Sequence, residues 1–359
     1  MKFVHIADMH FDIPFTMLNM NGDLGDLRRL DQRKIFRTII NYIKNNSIDY
    51  FFISGDLYEH QYTQKSTIDF INSCFEEIPN TKIFISPGNH DPYVKDSYYD
   101  TYKFSNNVYI FKGNIEKISL EDINVYGMAF TSFYMDGIDL DNIFLVDNNK
   151  PNVFITHCNL NGYKDENGFS YNNINETKLK NLGFNYVAMG HIHKSNFNES
   201  VKNNIIYPGS PIAMGFDELG EHGMIVGELK SNKELNLEFV KLDDREFKEM
   251  EVLVDDFNSL EDLILKVQEL QLEEKDLYKI ILLGKRNFEI NSRHILKLID
   301  RNNIIKIKDC TKISYNLENI MKENNLRGYF VREAFKMLEL GELNQEEIEK
   351  VIEIGLDVI

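Results

Sequence analysis

Five short apolar runs in the first half of the chain each end in a cluster of polar side chains able to bind metal. Phe3-Val4-His5-Ile6-Ala7 runs into Asp8-Met9-His10, Tyr50-Phe51-Phe52-Ile53 into Gly55-Asp56, and Ile83-Phe84-Ile85 into Gly88-Asn89-His90-Asp91. Val153-Phe154-Ile155 leads to Thr156-His157, and Tyr186-Val187-Ala188-Met189 to Gly190-His191-Ile192-His193. Runs of this length and β-rich composition read as buried strands of a parallel sheet. Whole βα units separate the clusters, so no single helix or zinc finger can assemble them. Polar groups at the carboxyl ends of neighbouring strands converge on one sheet edge.

The segments between the runs support this reading. Residues from about Asp31 to Asn45 have helical period, with Phe36, Ile39, Ile40 and Ile43 on one stripe, and a second helix is predicted near 64–77. Short strands follow between 107 and 129, then at 204–207, 223–229 and 235–242. Two β-rich layers covered by helices predict a four-layer αββα sandwich. The acidic stretch Asp243-Asp244-Arg245-Glu246 closes a first domain over 1–245. Beyond it strands at 250–254, 277–283 and 303–308 alternate with helices at 259–271 and 291–301, a small α/β domain over 250–311. The segment 312–359 is helical from Asn316 onward, with Gly341 and Glu346-Glu347 punctuating two terminal helices.

At 43% hydrophobic residues, with 25 Phe, the chain can fill a large core. Its 57 acidic against 40 basic residues give a net charge of −17, which repels nucleic acid as a whole. A nucleic-acid role therefore requires local basic patches or metal ions. Arg28, Arg29, Arg33, Lys34, Arg37 and Lys44 supply one such patch, readable as phosphate contacts or as long stems lying beside a buried helix face. The three cysteines are scattered, Asp8 interrupts any leader-like apolar stretch, and no apolar run reaches ~18 residues. A cytoplasmic protein without a membrane span is expected.

The clusters supply two carboxylates (Asp8, Asp56), an amide (Asn89) and four imidazoles (His10, His157, His191, His193), a ligand set for two divalent ions. Mixed N/O donors without Cys suit manganese, iron, zinc or nickel. Asp8 and His10, two apart, can face one ion from an extended loop, and so can His191 and His193. Asp56, after Gly55, can bridge two ions. Two carboxylates cancel only part of the charge of two divalent ions, and the remainder can hold a phosphate oxygen and acidify a water. His90 is supernumerary and suits proton donation to a leaving oxygen, with Asp91 orienting its ring. His5, inside the first strand, reads as packed core. His60 is balanced between a substrate loop and plain surface, while His222 and His294 read as surface and Cys158 as packing.

In this order the motifs D-x-H, G-D, G-N-H, H and G-H-x-H, intact over residues 1–240, resemble those of the calcineurin-like metallophosphoesterases. Ile155-Thr156-His157, Tyr207-Pro208-Gly209-Ser210-Pro211 and Glu218-Leu219-Gly220-Glu221-His222-Gly223 look like the DNA-repair nucleases of the SbcD type. The opening Ala7-Asp8-Met9-His10-Phe11-Asp12-Ile13-Pro14-Phe15 is closer to the YhaO branch, since SbcD proper more often carries Trp where this chain has Met9. The run from Asn325 to Arg332 is also similar to YhaO.

The resemblance implies that Asp8, His10, Asp56 and His193 hold one ion, that Asp56, Asn89, His157 and His191 hold the other, and that His90 is catalytic. It further implies manganese as the metal, DNA as the substrate and 250–311 as a capping domain. An SMC-like coiled-coil ATPase is the implied partner, and a homodimer is a further option. The terminal helices over 312–359 carry Leu326, Phe330, Phe335, Leu338 and Leu340, an apolar face readable equally as a docking surface for that ATPase or as side chains that pack on the α/β module. The competing reading is a calcineurin-like phosphoesterase acting on a small molecule or cyclic nucleotide. Gly55-Asp56-Leu57-Tyr58-Glu59-His60 lacks the Asp-Arg-Gly signature of phosphoprotein phosphatases, and the residues beyond 245 favour the nuclease. Retention of the whole ligand set with His90 argues against a non-catalytic scaffold.

Overall fold

Each of the five apolar runs forms a strand in the computed structural model, which describes residues 1–18, 23–138, 140, 143, 150–162, 171–230 and 233–359. The chain divides into two compact units, Met1–Lys248 with Glu273–Leu277, and Glu249–Leu272 with Tyr278–Ile359.

The first unit begins with β1 (Lys2–Ile6), α1 (Leu24–Asn45), β2 (Tyr50–Ile53), α2 (Lys65–Glu76), β3 (Lys82–Ile85), α3 (Tyr98–Thr101) and β4 (Val108–Ile110). It continues with β5 (Glu116–Ser119), β6 (Asn124–Gly127), β7 (Asn152–His157), α4 (Glu176–Asn181), β8 (Tyr186–Gly190), β9 (Ile205–Ile206), β10 (Gly223–Leu229) and β11 (Leu235–Lys241). One sheet has the order β11-β10-β1-β2-β3-β4 and the other β5-β6-β7-β8-β9. Strands β1 to β4 are mutually parallel, as are β6 to β9, while β10, β11 and β5 join antiparallel.

Three apolar layers hold these sheets. Ile35, Phe36, Ile39, Ile40 and Ile43 of α1 meet Ile6, Phe51, Ile53 and Ile83 on one outer face. Phe3, Phe52 and Phe84 meet Val125, Val153, Ile155 and Tyr186 between the sheets, and Leu179 of α4 meets Phe154, Val187 and Met189 on the other outer face. The result is an αββα sandwich. β2 is buried along its whole length, which is why it reads as an unbroken apolar run rather than an alternating one.

Helix α1 starts at Leu24, well before its period becomes apolar, because Gly25, Arg28 and Gln32 carry the buried face of its first turns. Arg28 is 1% exposed; it donates to both Asp243 oxygens and to the carbonyl of Ala213. Neither sequence-based reading of Arg28 holds. It is neither a phosphate contact nor a snorkelling stem but half of a buried ion pair. Arg33 and Arg37 are engaged by Asp12, Thr67 and Glu77.

In the second unit β12 (Phe247–Leu253), α5 (Leu260–Gln268), β13 (Leu277–Leu283), β14 (Lys285–Arg286), α6 (Ser292–Ile299), β15 (Ile304–Asp309) and β16 (Lys312–Ile313) follow in order. The sheet β12-β13-β15 buries Val252, Ile280, Leu282 and Ile307 against Leu263, Val267, Ile295 and Ile299 of α5 and α6. Helices α7 (Leu317–Ile320), α8 (Leu326–Glu339) and α9 (Gln345–Val358) have their own core of Val331, Ala334, Ile348, Ile352 and Leu356. Asn344 and Glu347 close a reciprocal capping box at the start of α9. Phe330, Phe335 and Leu338 pack on this core, leaving Leu326 and Leu340 exposed.

Candidate metal centre

Ile6, Ile53 and Ile85 are paired laterally through β1, β2 and β3, so the chain leaves three adjacent strands at one level. In the other sheet His157 is paired with Gly190. The loops that follow carry the polar clusters and are laced together. Asp8 N donates to Gly55 O at 3.0 Å, His10 N to Asp56 O at 2.9 Å, and Gln32 of α1 to the carbonyls of Met9 and His10 at 2.9 Å each. The expectation of an extended loop at Asp8 and His10 is corrected. Asp8, His10, Asp56 and His191 lie at φ of 54°, 47°, 52° and 97°, left-handed conformations that side chains other than glycine rarely adopt. Such strain persists only where surrounding structure holds it, and it concentrates at functional sites.

Three imidazoles have the same arrangement. Nδ1 of His10 donates to Glu59 Oε1 at 2.7 Å, Nδ1 of His193 to Glu218 Oε1 at 2.6 Å, and Nδ1 of His157 to the carbonyl of Ser54 at 2.9 Å. A proton fixed on Nδ1 leaves the Nε2 lone pair for another partner. The Nε2 atoms of His10 and His193 are 3.2 Å apart, and that of His193 is 3.8 Å from Asp8 Oδ1. Nε2 of His157 lies 3.0 Å from Asn89 Oδ1 and 3.2 Å from Asp56 Oδ2, and that same carboxylate oxygen is 3.6 Å from His10 Nε2. Asp56 thus stands between the two groups of nitrogens. His191 donates its backbone N–H to both oxygens of Asp8 at 3.1 Å, with its ring edge-on to His157.

Acceptor thus faces acceptor across the centre, an arrangement that only protons or cations can stabilise. The donor set therefore fits divalent ions on its own chemistry. Close packing beside the centre admits only glycine at two positions. A Cβ on Gly88 would sit 2.2 Å from Asp56 Oδ1, and one on Gly190 1.9 Å from Ser54 O.

Without cations the carboxylates hold protons on the imidazoles. Burial pulls His157 down, but Asp56 and Asp8 outweigh it and raise the ring to about 9. Burial is likewise outweighed at His193, by Glu218 and Asp8, and at His90, by Asp56 and Glu59, and both rings reach about 9. Burial, reinforced by the charge on His157, pushes His191 down to about 3. Glu59 falls to about 2 because its hydrogen bonds from His10 and His90 exceed the cost of burial.

His90 is the most exposed member, with Nδ1 held by Glu59 Oε2 at 3.0 Å. This overturns the expectation that Asp91 orients it. Asp91 is fully buried and accepts from the backbone of Asp56 (2.9 Å), Leu57 (2.7 Å) and Gly88 (2.7 Å) and from Tyr99 Oη (2.7 Å), pinning the loops after β2 and β3 together. Burial, with repulsion from Asp56, raises its carboxyl to about 7. His222 is also corrected. It is 5% exposed and lies under Glu218, with Nε2 donating to the Glu218 carbonyl at 2.8 Å and Nδ1 beside Ser210 Oγ at 2.9 Å.

His5 is core, between Tyr186 Oη (2.8 Å) and Ser54 Oγ (3.0 Å), while His294 is exposed at the start of α6 and Cys158 is buried. His60 is half-buried against Phe133. The residues that reading the sequence missed are the carboxylates behind the imidazoles. Glu59 stands three residues after Asp56, a weak local signal; Glu218 reaches His193 only through the fold. A cleft of about 570 Å³ opens beside His191 and His193, lined also by Lys194, Phe216 and Leu219. The larger hollow of about 790 Å³ between Phe184 and Leu237 contains none of these histidines, and several of its amides are spent on local backbone. Among the described residues no helix is long and apolar enough to cross a membrane.

Relatives share this arrangement of sequence at low identity. The D component of the nuclease SbcCD from Staphylococcus saprophyticus is 25% identical over 309 residues, spanning 77% of each chain. The uncharacterized metallophosphoesterase YhaO of Bacillus subtilis is 22% identical over 254 residues, 68% of this chain and 61% of YhaO, so the match spans less than two thirds of that relative. Similar solved structures include TT1561 of Thermus thermophilus (TM-score 0.36, 10% identity, 66% of this chain and 98% of that one). Another is YfcE, a phosphoesterase from E. coli (TM-score 0.27, 11% identity, 68% and 100%). The family model of the calcineurin-like phosphoesterases matches residues 1–195, more than half of the chain and every cluster described above. The chain belongs to the calcineurin-like phosphoesterase family.

Proposed function

We propose that this protein is a metal-dependent DNA nuclease. The observation that carries the reading over a small-molecule phosphoesterase is the extent of the similarity to the SbcCD nuclease component. At 77% of the chain it is longer than the whole sandwich unit, so part of the second unit shares it. A small ester needs no such addition.

In this reading Asp8, His10, Asp56 and His193 hold one ion and Asp56, Asn89, His157 and His191 the other, with manganese as the metal. Bound divalent cations would supply positive charge to the phosphate oxygens and acidify the attacking water. Glu59, Glu218 and the Ser54 carbonyl keep Nδ1 of His10, His193 and His157 protonated, so that Nε2 faces the cations. Asp91 fixes the backbone that presents Asp56. His90, tied through Nδ1 to Glu59, gives a proton from Nε2 to the leaving oxygen. Residues 250–311 act as the cap, and 312–359 dock an SMC-like coiled-coil ATPase. Leu326, at the start of α8, and Leu340, just beyond its end, are exposed apolar positions for that contact.

The deciding experiment incubates the manganese-loaded protein with labelled single- and double-stranded DNA beside a generic phosphodiester. Cleavage of both DNA and ester is expected. Turnover of the ester with DNA left intact, alone and with the ATPase, would replace this reading by the small-molecule one.

A further inference from the structure

Two polar side chains are enclosed on the same face of α1, one turn apart. Arg28 and Gln32 are 1% and 0% exposed and begin the stripe that Phe36, Ile40 and Ile43 continue as core. An apolar residue at either position would avoid the cost of burying polar atoms. For Gln32 that cost is only partly offset, because its Oε1 has no hydrogen-bond partner among the described residues.

Each side chain reaches a different loop of the metal centre. Gln32 Nε2 donates to the carbonyls of Met9 and His10 at 2.9 Å each, which fixes the backbone that bears Asp8 and His10. Arg28 Nε and Nη2 donate to the carbonyl of Ala213 at 3.2 and 2.8 Å. Asp243, the ion-pair partner of Arg28, accepts from Ala213 N at 2.9 Å, so one ion pair clamps both backbone groups of Ala213. The next amide, Met214 N, donates to Glu218 Oε2 at 3.0 Å, and Glu218 Oε1 accepts from Nδ1 of His193 at 2.6 Å. Asp8, His10 and His193 are the residues so held, and their ligand atoms lie within 4.8 Å of one another. The supports beyond Asp56 are different. The Ser54 carbonyl holds His157, and Asp91 holds Gly88 N beside Asn89.

We propose that Arg28 and Gln32 are positioning residues for the ion held by Asp8, His10 and His193, and that they do not support the other ion. One helix face thereby sets the approach of His10 and His193, whose Nε2 atoms meet at 3.2 Å although 183 residues separate them in the chain. The inference rests on the two-ion part of the reading above and on nothing about DNA.

The test is titration of the metal-free, full-length protein with manganese, the unbound Mn(II) being read by electron paramagnetic resonance. Gln32→Met keeps the length and loses both donors, while Arg28→Lys keeps the charge and loses the fork. The unsubstituted protein should bind two ions. Either variant should weaken one of them by about tenfold and leave the affinity for the other unchanged. Asn89→Ala and His193→Ala, which each disable one site, identify the ion affected. Gln32→Met should weaken the ion that remains in Asn89→Ala and change nothing in His193→Ala. Circular dichroism of the metal-free variants checks the fold, and if Arg28→Lys does not fold, Gln32→Met decides alone, since it also removes the unpartnered Oε1. Equal weakening of both ions, or of neither, overturns the positioning role. A single ion in the unsubstituted protein overturns the two-ion reading instead; the positioning role then stands if Gln32→Met weakens that ion by the same factor and falls if it does not.

Discussion

Glu59 accepts from Nδ1 of His90 at 3.0 Å while its other oxygen accepts from Nδ1 of His10 at 2.7 Å, so one carboxylate orients two imidazoles of the centre. Its negative charge is among the causes that raise His90 to about 9. Glu59→Gln removes that charge and should lower the His90 pKa. An acid that loses its proton at lower pH shortens the active range from above. The alkaline limb of kcat for a generic phosphodiester should therefore move to lower pH, with a fall of about tenfold at pH 8. An unmoved limb would separate Glu59 from the proton donor.

Asp56 and His90 lie near the same cations in this reading but should fail differently. His90 has a nitrogen close enough to His10 and Asp56 to join a ligand cluster, so its exclusion from the ligand set can be checked. Asp56→Ala should lower metal content measured by plasma emission and abolish turnover. His90→Asn should retain the metal and slow hydrolysis by about 10²-fold. Loss of metal from His90→Asn would make it a ligand.

Arg28 and Asp243 are both buried, so Arg28→Ala leaves a carboxylate without its partner. A loss of about 3–5 kcal/mol in urea unfolding is expected. The salt dependence of DNA binding should not change, because the guanidinium never reaches a phosphate. A weaker salt slope in a folded variant would restore the phosphate reading.

His5 gives the fold an acid limit. Burial pushes its ring down to about 3, far below the ordinary value of 6.5, so the folded state holds it neutral where the unfolded chain takes up a proton. Stability from this group is complete above pH 6.5 and is lost progressively as pH falls toward 3. Its full weight is on the order of 5 kcal/mol. His5→Asn should be less stable at pH 7 and show a flatter decline between pH 6.5 and 4 in thermal unfolding. A parallel decline in both proteins would assign the acid sensitivity elsewhere.

The strands and their polar ends were legible because two strong local signals coincide. A central parallel strand must be apolar on both faces, and residues such as Asp8, Asn89 and His191 are costly beside it unless they have a task. The start of α1 was not legible, since Arg28 and Gln32 occupy buried positions where the helical period expects apolar side chains. A buried ion pair between positions 28 and 243 leaves no mark on either neighbourhood.

The same limit governed the centre itself. The sequence by itself determined the donor atoms, because motif residues and the strands before them are contiguous in the chain. Only the tertiary structure decided which nitrogen of each imidazole is free. That choice is made by Glu59, Glu218 and the Ser54 carbonyl, and hydrogen bonds of His193 with Glu218 or of His157 with Ser54 close across 25 and 103 residues. It likewise gave Asp91 its role, because the backbone amides it holds converge only when β2 and β3 lie side by side. A chain states which groups it carries; the angles at which they meet follow from packing that no local stretch contains.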